Sequence, residues 1–120
     1  QQARRQARLR EWKDFVAQRA RLAIGEPRAL TTDPVALRLL YLYDEAALDV
    51  DNIVKPIQDA LIGMVFDDDS VVTDVEIRRR WRRTTFTLNA VSPVLAAGLA
   101  LHRELVYVEL TDVPAQDVLP

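Results

Sequence analysis

The sequence predicts a small mixed α/β (α+β) fold, a modest sheet packed with helices. Three observations carry that reading. Helix-period segments and strand-period segments follow one another along the chain. Proline, glycine and aspartate clusters punctuate them at element-length spacing. At 120 residues, 49% of them apolar, the chain is long enough for one modest core and is read as one domain over 1–120.

Residues 3–23 place Trp12, Phe15, Val16, Arg19 with Ala20, and Leu22 with Ala23 at helical spacing, with the arginines mainly on other faces. Gly25 and Pro27 are expected to stop this helix. Residues 34–43, PVALRLLYLY, read as a strand, although the pattern alone also fits a buried helix. A loop follows from Asp44 to Asp51. Pro56 belongs in a helix's first turn, because it lacks an N–H and its ring clashes with the carbonyl four residues back. A helix is therefore predicted from Lys55–Pro56 to Ile62, with Ile57, Ala60 and Leu61 inward and Gly63 at its C-terminal cap. Asp67 to Ser70 reads as a tight turn. It leads into a strand over 71–81 with Val71, Thr73, Val75 and Ile77 on one face. Residues 84–90 are expected as its hairpin partner. Ser92 before Pro93 starts a helix running to Arg103, and residues 105–110 alternate as a last strand.

There is no cysteine, which excludes disulfides and thiolate metal sites and favours a cytoplasmic location. No apolar run approaches a membrane span. The net charge of −2 conceals segregation. Residues 1–28 hold eight Arg/Lys against three Asp/Glu, residues 44–76 hold ten acids against Lys55 alone, and residues 78–83 add five arginines. Basic flanks around an acidic centre are compatible with nucleic-acid recognition, since the position of charge matters more than its sum.

The acidic centre carries the chemistry. Asp49 and Asp51 alternate around Val50, so in an extended chain their carboxylates point the same way. Asp67, Asp68 and Asp69 follow a helix length later. Crowded carboxylates repel unless a cation neutralises them, and an oxygen-only ligand set suits Mg2+ or Mn2+. Each piece alone is explained by turn chemistry. A calcium-loop pattern fails because Ile53, Val54 and Ala60 stand at its third ligand, glycine and glutamate positions. A sugar-nucleotide enzyme would need a larger nucleotide-binding domain.

The joint pattern is more specific: D-x-D-N-x-x-K-P-x-x-D-A-L-x-G followed by D-D-S-x-V. Asp49, Asp51, Asn52, Lys55, Pro56, Asp59, Ala60, Leu61, Gly63, Asp68, Asp69, Ser70 and Val72 carry a resemblance to the RusA family of Holliday-junction resolvases. It is close over 49–72 and looser over the preceding helix and strand and the last strand. The resemblance implies a Mg2+-dependent (or Mn2+-dependent) endonuclease, homodimeric, acting on four-way DNA junctions in recombination, repair or phage DNA processing. Its catalytic residues fall on Asp49, Asp51, Lys55 and Asp69. The metal ligands fall on Asp49, Asp51 and Asp69, with Asp68 as helper, while Asp67 is left to the turn and Asp59 to support of Lys55 or a backbone group. Relative to the family, a glycine- and basic-rich strand before the first helix is missing, and residues 81–103 insert a hairpin arm and a helix.

Outside that centre, Lys55 with Arg78, Arg79, Arg80, Arg82 and Arg83 is the candidate nucleic-acid contact set, with Trp81 available to stack on an unpaired base. The competing reading is a strand with solvated arginines and Trp81 in the core. His102, the single histidine, has no partner for acid–base work and reads as structural. The alternatives for function are a RusA-like DNA-binding or scaffold protein with little cleavage, and a nuclease for flaps or other branched DNA. For the dimer interface, residues 93–101 are preferred over the edge of the last strand.

Overall fold

The computed structural model describes residues 2–24, 29–45, 47, 49–113, 116, 117 and 119. Among them are helices α1 (Gln2–Ile24), α2 (Asp51–Leu61) and α3 (Pro93–Leu99), and strands β1 (Val35–Tyr43), β2 (Val72–Trp81) and β3 (Leu105–Asp112). One 3-10 turn spans Asp69–Val71. The mixed α+β class is as the periodicity predicts, but the described sheet has three strands where the sequence predicts four. The chain divides into two compact units, residues 1–34 with 49–73, and residues 35–48 with 74–120.

In the first unit α1 packs on α2. The predicted stripe on α1 is only partly inward: Val16 is half-buried, while Phe15 and Leu22 are exposed. The Arg19 guanidinium stands 6.0 Å from the Phe15 ring centroid, so cation–π attraction and partial cover replace burial there. The stop assigned to Gly25 and Pro27 lies outside the described residues. Helix α2 begins a full turn earlier than Pro56 predicts, at Asp51, and Pro56 stands inside it. The helix loses one backbone bond at Pro56. The earlier start is favoured because it seals Ile53 against Ile57 on one face, both essentially fully buried with Ala60 and Leu61. Bonds of 3.0 Å from Asn52 N–H to Asp49 C=O and from Ile53 N–H to Val50 C=O tighten the first turn.

The chain leaves α2 through Gly63, whose φ of +87° is the left-handed conformation that glycine adopts without a Cβ penalty. Its N–H donates to the Phe66 carbonyl at 2.7 Å, and Thr31 N–H donates to Val65 C=O at 2.8 Å. This turn drives Phe66 into the interior, where it is 0% exposed. Val71 belongs to the 3-10 turn rather than to β2, and Thr73 is exposed.

In the second unit the sheet order is β2-β1-β3. β1 and β3 are antiparallel, in register from Val35↔Asp112 to Leu42↔Leu105. Along β1, Val35, Leu37, Leu39 and Tyr41 are buried while Arg38 faces out, the period-2 signature that decides for a strand over a helix. On β2 the predicted inward face is weaker: Ile77 is half-buried and Val75 exposed. Residues 84–90 do not form the expected hairpin arm; they follow a turn closed by Thr84 N–H to Trp81 C=O. Ala90, at φ 48°, breaks any extended run at their end. Helix α3 starts as predicted, with Ser92 Oγ accepting from Leu95 N–H at 3.2 Å. It ends at Leu99, not Arg103, because i→i−3 bonds close its last turn and His102 adopts φ 53°. α3 packs on β3.

A polar chain crosses the outer face of this sheet. Ser92 Oγ and Tyr107 Oη lie 3.1 Å apart, and Tyr107 donates to Glu109. Arg38 contacts Glu109 at 3.4 Å and Glu76 at 2.9 Å, and Arg78 contacts Glu76 at 2.9 Å. The Arg78 charge, then the hydrogen bond from Arg38, hold the Glu76 carboxyl below the ordinary glutamate range. A depressed folded value means that this pairing stabilises the fold above the unfolded pKa, roughly 4.3, and is lost as pH falls through the lowered value. Glu76→Gln is expected to lower the melting temperature slightly near neutrality, with the difference from the parent vanishing as pH falls through the lowered value, so that its fall on the acid side is flatter. Thermal melts from pH 3 to pH 7 check this, and an unchanged acid limb argues against it.

Candidate functional site

The acidic centre lies within the first unit, on α2 and the turn that follows it. Lys55 projects from the middle of α2. Its ammonium stands 3.2 Å from Asp59 Oδ1, one helical turn on, and 3.2 Å from Asp69 Oδ2 in the 3-10 turn. Helix geometry supplies the first contact, since residues four apart share a face. The Gly63 turn and the burial of Phe66 supply the second by returning the chain to the helix. Hydrogen bonding to Asp69, then to Asp59, raises the Lys55 pKa above the ordinary lysine value, so the side chain is a fixed positive charge. The side chain remains 64% exposed, open to an incoming anion.

Asp68 is an N-cap: its carboxylate accepts from Ser70 N–H at 3.0 Å. Asp67 is exposed in the turn. Asp49 and Asp51 are both exposed at the start of α2. They do not share an extended segment, because Val50 between them is helical (φ −59°, ψ −33°) and Asp51 is already in the helix. The alternation argument for parallel carboxylates therefore does not apply; burial of Ile53 draws this segment into the helix.

The structure thus brings Lys55, Asp59 and Asp69 together. Among the described residues no three acidic or imidazole groups stand in a metal-holding arrangement. In kind, the donors fit a hard cation, being carboxylate oxygens alone, with Asp69 Oδ1 outside the Lys55 contact. A cation pinned between carboxylates, open on one side, can neutralise a phosphate oxygen.

The arginine run divides. Arg82 pairs with the Asp44 carboxylate and is mostly buried, and Arg78 is held by Glu76. Arg80 donates to the Arg79 carbonyl at 3.0 Å. Arg83 is exposed and has no ion-pair partner among the described residues. A cleft of about 290 Å³ opens beside Arg38, Glu76, Arg78, Tyr107 and Glu109, but its charges are already matched to one another. Sequence reasoning missed Asp44. It organises the corner after β1, and its partners Trp81, Arg82 and Glu104 are 37 to 60 residues away in sequence. His102 is exposed in the turn after α3.

These features place a single lysine among carboxylates, between a helix and the turn that follows it, in a small α+β chain. A family model for endodeoxyribonuclease RusA matches residues 1–88, and the chain belongs to that family of junction-resolving nucleases. The match takes in α1, β1, α2 and β2 and stops before α3 and β3. No curated protein and no solved structure matches the chain. Among the described residues no helix is long and apolar enough to cross a membrane.

Proposed function

We propose that this chain is a Mg2+-dependent endonuclease that cuts four-way DNA junctions as a homodimer, in cytoplasmic recombination, repair or phage DNA processing. The observation that carries the reading is the Lys55 ammonium fixed at 3.2 Å from Asp69, within a chain of the RusA endodeoxyribonuclease family. Asp49, Asp51 and Asp69, with Asp68, would hold the metal, which when bound supplies Lewis acidity and a more acidic water. Lys55 places positive charge where a scissile phosphate gains negative charge, and Asp59 keeps that charge in position. The exposed Arg80 and Arg83 add phosphate contacts that orient the DNA. A two-fold dimer presents two such sites to the two equivalent strands of a junction.

A labelled synthetic junction incubated with Mg2+ or with EDTA tests the reading; paired cuts in Mg2+ alone support it. Asp51→Asn is expected to lower cleavage by more than about 100-fold, since even indirect partners of a metal cost 10–100-fold. Junction binding should persist or strengthen, because a negative charge near phosphate is removed. Cleavage unaffected by Asp51→Asn removes Asp51 from the site. Sedimentation of the protein on junction DNA at micromolar concentration checks the dimer, which a monomeric complex rules out.

A second reading is a junction-binding protein with little cleavage. That the described acids form no three-ligand group favours it. Junction binding without cuts in either Mg2+ or Mn2+ would establish it.

A further inference from the structure

We infer that Trp81 is a stacking platform for an unpaired nucleobase of the DNA, an inference that rests on the nucleic-acid reading above. The indole stands at the end of β2 with 47% of its surface exposed, yet it is anchored. Its Nε1–H donates to the Asp44 carbonyl at 3.0 Å. Asp44 is itself fixed through each of its remaining polar groups: its N–H donates to Glu104 Oε2 at 2.9 Å, and its carboxylate takes the Arg82 guanidinium. Arg82 N–H closes the corner on the Tyr43 carbonyl at 2.8 Å.

The polar edge of the ring is thereby satisfied by protein, and a large apolar surface is left toward solvent. A ring used only to complete a core would turn that surface inward; here the corner holds it out. Anchoring also removes most of the rotamer freedom that a stacking partner would otherwise have to freeze. The neighbours decide what partner fits. Arg80 and Arg83 are exposed on either side of Trp81 in sequence, and their charge suits the phosphates flanking a base rather than an apolar peptide. Stacking on an indole accepts any base, because each presents a π-face. Bases at a branch point, where pairing is interrupted, are the ones free to reach it.

The test uses the full chain carrying Trp12→Phe, which leaves Trp81 as the one remaining indole of two. EDTA is present so that no DNA is cut. A short single-stranded oligonucleotide, a four-way junction and a blunt duplex are titrated in turn while tryptophan emission and gel mobility are followed. Stacking predicts strong quenching by the oligonucleotide and the junction and little by the duplex. Trp81→Ala should weaken junction binding about 5- to 150-fold. Trp81→Phe, which keeps a ring but loses the bond to Asp44, should lose part of that. If Trp81→Ala does not fold, the emission measurement decides alone. DNA bound without any change in emission overturns the platform and leaves the nuclease reading intact. Quenching by the oligonucleotide with no junction cleavage in Mg2+ keeps the platform and removes the nuclease. Failure to bind any of the three DNAs overturns both.

Discussion

Lys55→Ala is expected to lower the single-turnover rate of junction cleavage about 100- to 1,000-fold, the range for removing one positioned electrostatic stabiliser. Junction affinity should change less than about threefold. The two effects separate because a charge opposite a developing phosphate charge is worth most in the transition state. The geometry makes this a sharp test. Lys55 is held from two sides, by Asp59 and Asp69 at 3.2 Å each, so its position does not depend on the DNA. Asp59→Asn, which removes one support and leaves Asp69, should cost far less than Lys55→Ala. Lys55→Arg keeps the charge but replaces a compact ammonium with a planar fork, and should restore only part of the rate. Equal losses in rate and affinity for Lys55→Ala would make it a phosphate clamp and nothing more.

Phe66→Ala should destabilise the fold by about 3–5 kcal/mol, the usual cost of emptying a fully buried aromatic site. Phe66 is 0% exposed, as is Ile57, and it anchors the turn that returns the chain from Gly63 to Asp69. The loss should therefore appear in cleavage before global unfolding, since Asp69 faces Lys55 only while that turn is closed. Urea denaturation gives the stability change, and activity at sub-denaturing urea gives the local effect. Phe66→Leu, apolar and closer in volume, should cost less. A loss under about 1 kcal/mol for the alanine variant would show that the turn repacks without the ring.

Much of this architecture is legible in the amino-acid sequence. The Leu- and Tyr-rich run of β1, the alternation in β3, the Ser92–Pro93 helix start and the glycine after α2 are local signals with local causes, and they describe the elements found, although for β1 only the structure decides against a buried helix. The errors have a common origin in contacts that local pattern does not contain. Pro56 argues for a late helix start, but one lost backbone bond is outweighed by burying Ile53 beside Ile57. The hairpin after β2 fails because residues 84–90 lack a ladder and Ala90 turns left-handed. At the candidate site, the motif places Lys55 and Asp69 in one constellation, and they are adjacent. It places Asp49 and Asp51 by a strand argument that the helix overrides. The Asp44 corner is invisible to local pattern because its partners are brought to it only by the completed sheet.

The position of β1 has a consequence for how the chain can be divided. Its middle place in the sheet means that one of its edges is satisfied by β3 from Val35 to Leu42, and β3 lies beyond residue 88, where the match to the family model ends. A fragment cut at that limit would keep every residue of the acidic motif and yet leave the apolar run VALRLLYL with an open edge. Unpaired edges of that composition recruit other strands. The end of the family-model match and the end of the paired sheet thus fall at different places in this protein.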